Sequence, residues 1–325
     1  MFKSTEHKIP LGHVTDTKCR PDYTAAFKKH WGTAGVTFWP FIRFAGEKAS
    51  KGTPNEKQGK QAVSYLHYLL LARPDLHVAQ GLLTTEASIT FLLGIGGLGL
   101  RSLKLPWGKE VYKVAYAFIY RLYDPGDFAD RAYKLVDSKA MQYLDSDPSL
   151  AKDVVVPYNV DLEVKGTTSP AVCRNFVPIY ASNPFETRTH VLSNPSSKVT
   201  IHNKPLTVLK DQLCRLGTRF DEHTILDAVH QRGQVPGVVE MVYQARIESP
   251  FLTHKREKYL TGLRQSGRPF LAIETLQQIL ETGFDVLEGT FTSSSILCSV
   301  LTFAQYCGFY VASAKYFIVI SAKGM

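Results

Sequence analysis

A lysine and a glutamate, Lys210 and Glu222, are the pair whose types and setting could do chemistry in this chain. Lys210 ends a short run, Leu206-Thr207-Val208-Leu209, whose β-propensity and Pro205 boundary predict a strand. A polar loop follows. Thr218-Arg219-Phe220-Asp221 then has the form of a capping box, with an acidic residue three places after the threonine. The helix it would start carries Glu222, Leu226 and Val229 on one stripe, at i, i+4 and i+7. A carboxylate on the apolar face of a helix is costly unless a cation meets it, and Lys210 is the nearest candidate. Held together, the two could grip nucleotide phosphates, with the lysine on the phosphate oxygens and the glutamate orienting it. The other reading of the same stretch is a surface helix beside an edge strand.

Such a pair needs elements to position it. Upstream, GKQAVSYLHYLLLARP predicts a helix, with Val63, Leu66, Leu69 and Leu70 on one stripe and Pro74 as its stop. VTFWPFIRFAGEKASKG predicts a strand running into a charged loop, and LHVAQGLLTTEASITFLLGIGG, with breaks at Gly81 and again at Thr84 to Ala87, an antiparallel meander. EVYKVAYAFIYRLYD predicts another helix, ended by Pro125-Gly126. Downstream, VPGVVEMVYQARI and LTGLRQSGRPFLAI predict strands, and Thr275-Leu276-Gln277-Gln278 starts an amphipathic helix. The pattern is α+β. Residues 1–37 have few periodic apolar positions and read as weakly ordered, 38–136 as an accessory domain, 137–170 as a polar linker, and 171–288 as a second domain.

Composition narrows the classes. With 325 residues and 44% hydrophobic content, the chain can bury a core in two domains of ordinary size. The net charge of +9 favours acidic partners, but the densest basic stretch, Lys48, Lys51, Lys57 and Lys60, has no interleaved aromatics, so no specific nucleic-acid partner is expected. The five cysteines have no metal-ligand spacing, and MFKSTEHKIPLGHV has no apolar core of a signal peptide. An intracellular, cytoplasmic or nuclear setting is expected. Gly94, Gly96 and Gly99 fit G-x-G-x-x-G, but LRSLKLPW follows where a helix should start, so a bulged hairpin is the better reading.

The segments SNPFETRTHVLSNPSS, KPLTVLKDQLCR, RFDEHTIL, VPGVVEMV, GLRQSGRPF and LETGFDVLE, in that order, closely resemble the fungal-type protein kinase family. LHYLLLARPDLHVAQGLL and TFLLGIGGLGLRSL resemble the extension that precedes the kinase core there, so the resemblance runs from about Phe38 to Glu288. It implies an N-terminal α/β accessory domain, the antiparallel small lobe of a kinase with one helix, and the start of the large lobe. ATP and Mg²⁺ are the implied cofactors and phosphoryl transfer to protein Ser/Thr the implied activity. By the same resemblance Lys210 would hold the phosphates and Glu222 orient it, while Gln265 and Gly267 belong to a hinge at Gln265 to Pro269 that binds the nucleotide. The first two kinase strands fall in Tyr180 to Thr200, which contains no glycine, so backbone amides would approach phosphate less closely and ATP binding is expected to be weak or absent.

A working kinase needs a catalytic-loop Asp, an Asn for metal and a second Asp on Mg²⁺, and no H-R-D or D-F-G occurs in this chain. The chain is therefore expected to be an inactive, pseudokinase-like fragment. The alternatives are a soluble or tail-anchored module that binds nucleotide or protein and, remotely, a nuclease-like N-terminal domain. The last rests on a strand, Glu47-Lys48, then helix and meander; the usual acid-x-lysine spacing is not met and no second acid is evident. Ile296 to Ser321 is apolar enough to span a bilayer, which takes about 20 residues, and reads at face value as a tail anchor. A sharper reading back-translates KYFIVISAKGM two nucleotides later, where permitted codons spell VFHRDISKGN, the catalytic loop the family would place here. The expectation is an out-of-frame tail after Glu288.

Overall fold

The computed structural model describes residues 2–5, 8–15, 18–32, 35–49, 56–137, 140–142, 154–182, 184–215, 222–231, 238–247 and 256–264. The expected hinge, the helix from Thr275 and the tail, with Gln265 and Gly267, lie outside them. The chain divides into two compact units interleaved in sequence. One comprises Met1–Asn194, Lys210–Leu216 and Ala245–Leu260; the other comprises Pro195–Leu209, Gly217–Gln244 and Thr261–Met325. Among the described residues the fold is α+β, rich in strands and with few helices.

The first unit opens with β1 (Phe2–Ser4), β2 (Tyr23–Ala25) and β3 (Phe44–Lys48), an antiparallel set. The stretch 1–37, expected to be weakly ordered, thus contributes two strands. Helix α1 (Glu56–Ala72) follows, then β4 (Val78–Thr84), which pairs with β3 in parallel. β5 (Ser88–Ile95) and β6 (Gly99–Pro106) complete a six-stranded sheet in sequential order. The stretch expected as a meander holds β4 and β5, which part at 85–87 as expected, but β4 runs unbroken through Gly81, where a break was expected, and the glycine cluster is the hairpin turn from β5 into β6. Leu98 N–H bonds the Ile95 carbonyl there, and Gly97 takes φ 74, which a side chain would resist.

Strand alternation sends side chains of β3 into two cores. Ala45 packs with Tyr65, Leu66, Leu69 and Leu70 of α1 on one face. Phe44 packs with Phe91 and with Phe118 and Leu122 of α2 (Lys109–Tyr123) on the other. The sheet is therefore a middle layer between two helices. α1 carries the expected apolar stripe and stops just before Arg73-Pro74.

β7 (Tyr133–Leu135), β8 (Tyr158–Leu162), β9 (Ala171–Ser182) and β10 (Thr189–Ser193) come next, followed by a two-stranded ribbon of β11 (Thr200–Ile201) and β12 (Lys204–Pro205). β13 (Val208–Arg215), α3 (Glu222–His230), β14 (Met241–Ile247) and β15 (Arg256–Leu263) close the described chain. The second sheet has the order β14-β15-β13-β10-β9-β8-β7. No helix among the described residues is long and apolar enough to cross a membrane.

Candidate functional site

Lys210 is the third residue of β13, not its end, because the strand continues through Asp211, Leu213 and Cys214. It is half-buried, on the face opposite the buried Leu209, Asp211 and Leu213. Glu222 is the first residue of α3, and its side chain lies outside the described set, so the expected Lys210–Glu222 pair is neither present nor absent in what is described. The stripe holds farther along α3, where Leu226 is buried and Val229 half-buried.

Within the second unit, Glu240 precedes β14 and accepts from both Lys204 and Arg264 Nη1, the latter at 2.9 Å. The hydrogen bond from Lys204 is the main reason its carboxyl lies below the ordinary carboxylate range. A cleft of about 480 Å³ opens here, lined also by Leu226, Asp227, His230 and Met241. His230 Nε2 meets the Val239 carbonyl at 2.8 Å. Glu240 thus takes up both cations and ties the ends of β12, β14 and β15. Of the expected nucleotide-binding residues, Lys210 is not among the described residues that line the cleft, and the Glu222 side chain, Gln265 and Gly267 lie outside the described set.

A different constellation lies at the β2–β3 edge of the first unit. Antiparallel register pairs Tyr23 with Gly46 and Thr24 with Ala45, so Asp22 stands opposite Glu47 on the face that α1 covers. Asp22 Oδ2 accepts the Lys48 backbone N–H at 2.7 Å. From α1, Tyr65 places its hydroxyl 2.9 Å from Glu47 Oε2 and 2.8 Å from the Arg20 carbonyl oxygen. Gln61, one turn earlier, donates its amide N–H to that hydroxyl at 2.6 Å. Glu47 is buried, and among the described residues no cation pairs with it or with Asp22. Burial chiefly, and the Asp22 charge in addition, push the Glu47 carboxyl up to about 7 against the lowering effect of the Tyr65 hydroxyl. On the same face, Thr24 is fully buried and its hydroxyl has no partner. Lys48, adjacent to Glu47, points to the opposite face and is exposed.

The sequence reading found Glu47 and missed Asp22, Gln61 and Tyr65. Asp22 follows a proline just ahead of a three-residue strand, too short to display alternation. Gln61 and Tyr65 are i, i+4 on a helix whose apolar stripe drew the notice instead.

A third cluster is structural in character. Lys258, 1% exposed on β15, places Nζ 2.8 Å from Asp130 Oδ2 and 3.0 Å from Asp211 Oδ2. Tyr133 donates its hydroxyl to Asp211 at 2.8 Å. Burial works to raise the Asp211 carboxyl, but Lys258 and Arg188 outweigh it and hold it below the ordinary range. Arg188, fully buried, donates to the Leu76 carbonyl, and His190 Nε2 meets the Leu71 carbonyl at 3.1 Å. These contacts fasten β10 to the end of α1.

Comparison with protein families, with curated proteins and with solved structures finds no match to this chain.

Proposed function

We propose that residues 171–288 form a protein-kinase-type small lobe and the start of a large lobe that cannot transfer phosphate. Strand order carries this reading. The segments expected to hold the fourth, fifth, third, second and first strands overlap β14, β15, β13, β10 and β9, the fifth and first only at one end, and these strands lie side by side in that order, with α3 between β13 and β14 in sequence. A half-buried lysine on the central strand suits a phosphate-holding role. The base and metal ligands that transfer requires have no counterpart in the sequence. With Mg²⁺ and ATP, the full chain is expected to leave generic protein substrates unphosphorylated, while retaining at most weak nucleotide binding that Lys210→Met removes. Transfer that Lys210→Met abolishes would overturn the proposal.

A second reading belongs to the first unit, where a specific observation favours a metal-dependent nuclease-like site. Two facing carboxylates, one of them buried and neither met by a cation among the described residues, form a setting that a divalent ion would neutralise. Asp22 and Glu47 would hold the ion, and the Tyr65–Gln61 pair would orient Glu47. A bound divalent cation lowers the pKa of water and polarises a phosphoryl oxygen. Water oxygen would bond to phosphorus and the bond to the leaving sugar oxygen would break, the water giving a proton to solvent and the leaving oxygen taking one from it. Lys48 faces away from the pair and is given no part in this step. Mn²⁺ is expected to raise the unfolding temperature of the chain but not of Asp22→Asn or Glu47→Gln, and nicking of supercoiled DNA should need both carboxylates. Identical melting with and without Mn²⁺ in the parent chain would end this reading. Cation binding without nicking would leave a structural ion site only.

A further inference from the structure

β6 is the outer strand of the six-stranded sheet, paired with β5 along its whole length and with nothing on its other side among the described residues. An eight-residue edge of this kind exposes a row of unpaired backbone donors and acceptors. Its side chains are also unusually open: Leu100 is 40% and Leu103 47% exposed. Cross-strand register sets Leu105 beside Ile89, Leu103 beside Phe91 and Arg101 beside Leu93, so these three residues share the face that α2 covers. The cover is incomplete. Between α2 and this face runs a groove of about 300 Å³, walled by Phe91, Leu93, Leu103, Val114 and Phe118 and reached by Arg101. On the other face of β6, Lys104 is exposed. Among the described residues the side chains of Arg101 and Lys104 have no acidic partner.

We propose that β6 is a docking edge for an extended acidic segment of a partner protein, which adds as a further strand and seats alternate apolar side chains in the groove beside α2. Strand addition supplies affinity through main-chain hydrogen bonds, and the alternating side chains supply selectivity. The charge pattern decides the occupant. Antiparallel self-pairing centred between Ser102 and Leu103 would set Arg101 opposite Lys104 of the second copy, a like-charge contact, and every other register still gathers four cations on two strands. A partner strand with acids opposite Arg101 and Lys104 meets opposite charges on both faces instead. Antiparallel to β6 from Leu105 to Arg101, the fitting segment reads apolar, acidic, apolar, any, acidic, as in Val-Glu-Val-Thr-Glu.

The test titrates the full chain into a fluorescein-labelled peptide containing Val-Glu-Val-Thr-Glu, followed by polarisation. Saturable binding is expected, weakened about tenfold or more in Arg101→Glu/Lys104→Glu. The reversed variant should in turn bind Val-Lys-Val-Thr-Lys better than the parent does, which a merely misfolded variant could not. Methylating alternate peptide amide nitrogens should abolish binding, because strand pairing needs those donors. Absence of saturable binding would overturn the proposal, as would equal affinity of the charge-reversed variant or of the methylated peptide. Tighter binding of single-stranded oligothymidylate through the same two cations would overturn it in favour of a nucleic acid. A dimer in sedimentation that Leu103→Asp dissociates would do so in favour of a second copy.

Discussion

Lys258 illustrates how a charged residue can be indispensable to an apolar core. A lone ammonium at 1% exposure could not persist, yet here two carboxylates lie within 3.0 Å and Tyr133 satisfies one of them. Burying the trio costs desolvation that its attraction only roughly repays, so the cluster adds little net stability while intact. Breaking it is another matter. Lys258→Met fits the space but removes the cation that bonds both Asp130 and Asp211, leaving only the Arg188 charge acting on Asp211, and is expected to cost about 3–5 kcal/mol in urea unfolding. Combining it with Asp211→Asn should recover a measurable part of that loss, and a double-mutant cycle reads the coupling directly. A loss below about 1 kcal/mol for Lys258→Met would show that the cluster is far wetter than the burial of its members implies.

At the scale of elements, the seat of α1 on the sheet depends on how closely it approaches the parallel pair β3–β4. At Gly81 on β4, a Cβ would come within 2.9 Å of both the Ala45 carbonyl oxygen and Leu66 Cδ2. The leucine can swing aside; the neighbouring strand's carbonyl cannot without loosening the ladder. Gly81→Ala is therefore expected to destabilise by about 1–3 kcal/mol. Gly59, inside α1, has nothing within 4 Å of the same added atom, so Gly59→Ala should stabilise by about 0.5–1 kcal/mol through helix propensity. One substitution type with two opposite signs, measured by thermal and urea unfolding, separates close packing from backbone preference.

Over the whole molecule, the response to acid follows from histidines held neutral. Burial is the first cause in each: His190 is lowered to about 3, with Arg188 adding to the effect, and His77 to about 4, with Lys258 adding to it. His13 is lowered to about 4 even though its bond to the Tyr68 carbonyl opposes the shift. An unfolded histidine binds its proton near pH 6.5, so between 6.5 and 4 the unfolded chain takes up three protons that the folded chain refuses. Their contribution is fully present above pH 6.5 and is lost as the pH falls towards 4. Glu47, raised to about 7 from an ordinary 4.5, works in the opposite sense across much of that window. For these four groups the net of about two protons corresponds to roughly 3 kcal/mol lost per pH unit, and His30 and His67, also lowered by burial, add to the loss. Urea unfolding at pH 7 and pH 5 checks the slope, and His13→Gln should flatten it by about one proton. Stability unchanged across that range would contradict neutral burial of these rings.

The sequence by itself determined whatever depends on short-range periodicity. The apolar stripe of GKQAVSYLHYLLLA and the proline after it placed α1, alternation placed strands on either side of 85–87, though β4 runs on through Gly81 where a break was read, and the glycines between β5 and β6 read best as a turn. Where a strand began or ended was less legible. β13 runs on past Lys210, and β15 begins at Arg256, earlier than LTGLRQSGRPFLAI suggested, because charged residues such as Asp211 and Lys258 read as solvent positions until each supplies the other's counter-ion. Only the tertiary structure could set Asp22 opposite Glu47, since β2 is three residues long and its register is fixed by hydrogen bonds to a strand some twenty residues on. The same holds for the open edge of β6, whose exposure depends on its place at the end of a sheet rather than on anything in GLRSLKLP. Periodicity is a property of neighbours along the chain; a site is a property of neighbours across it, and the strands that bring those neighbours together are chosen by the core as a whole.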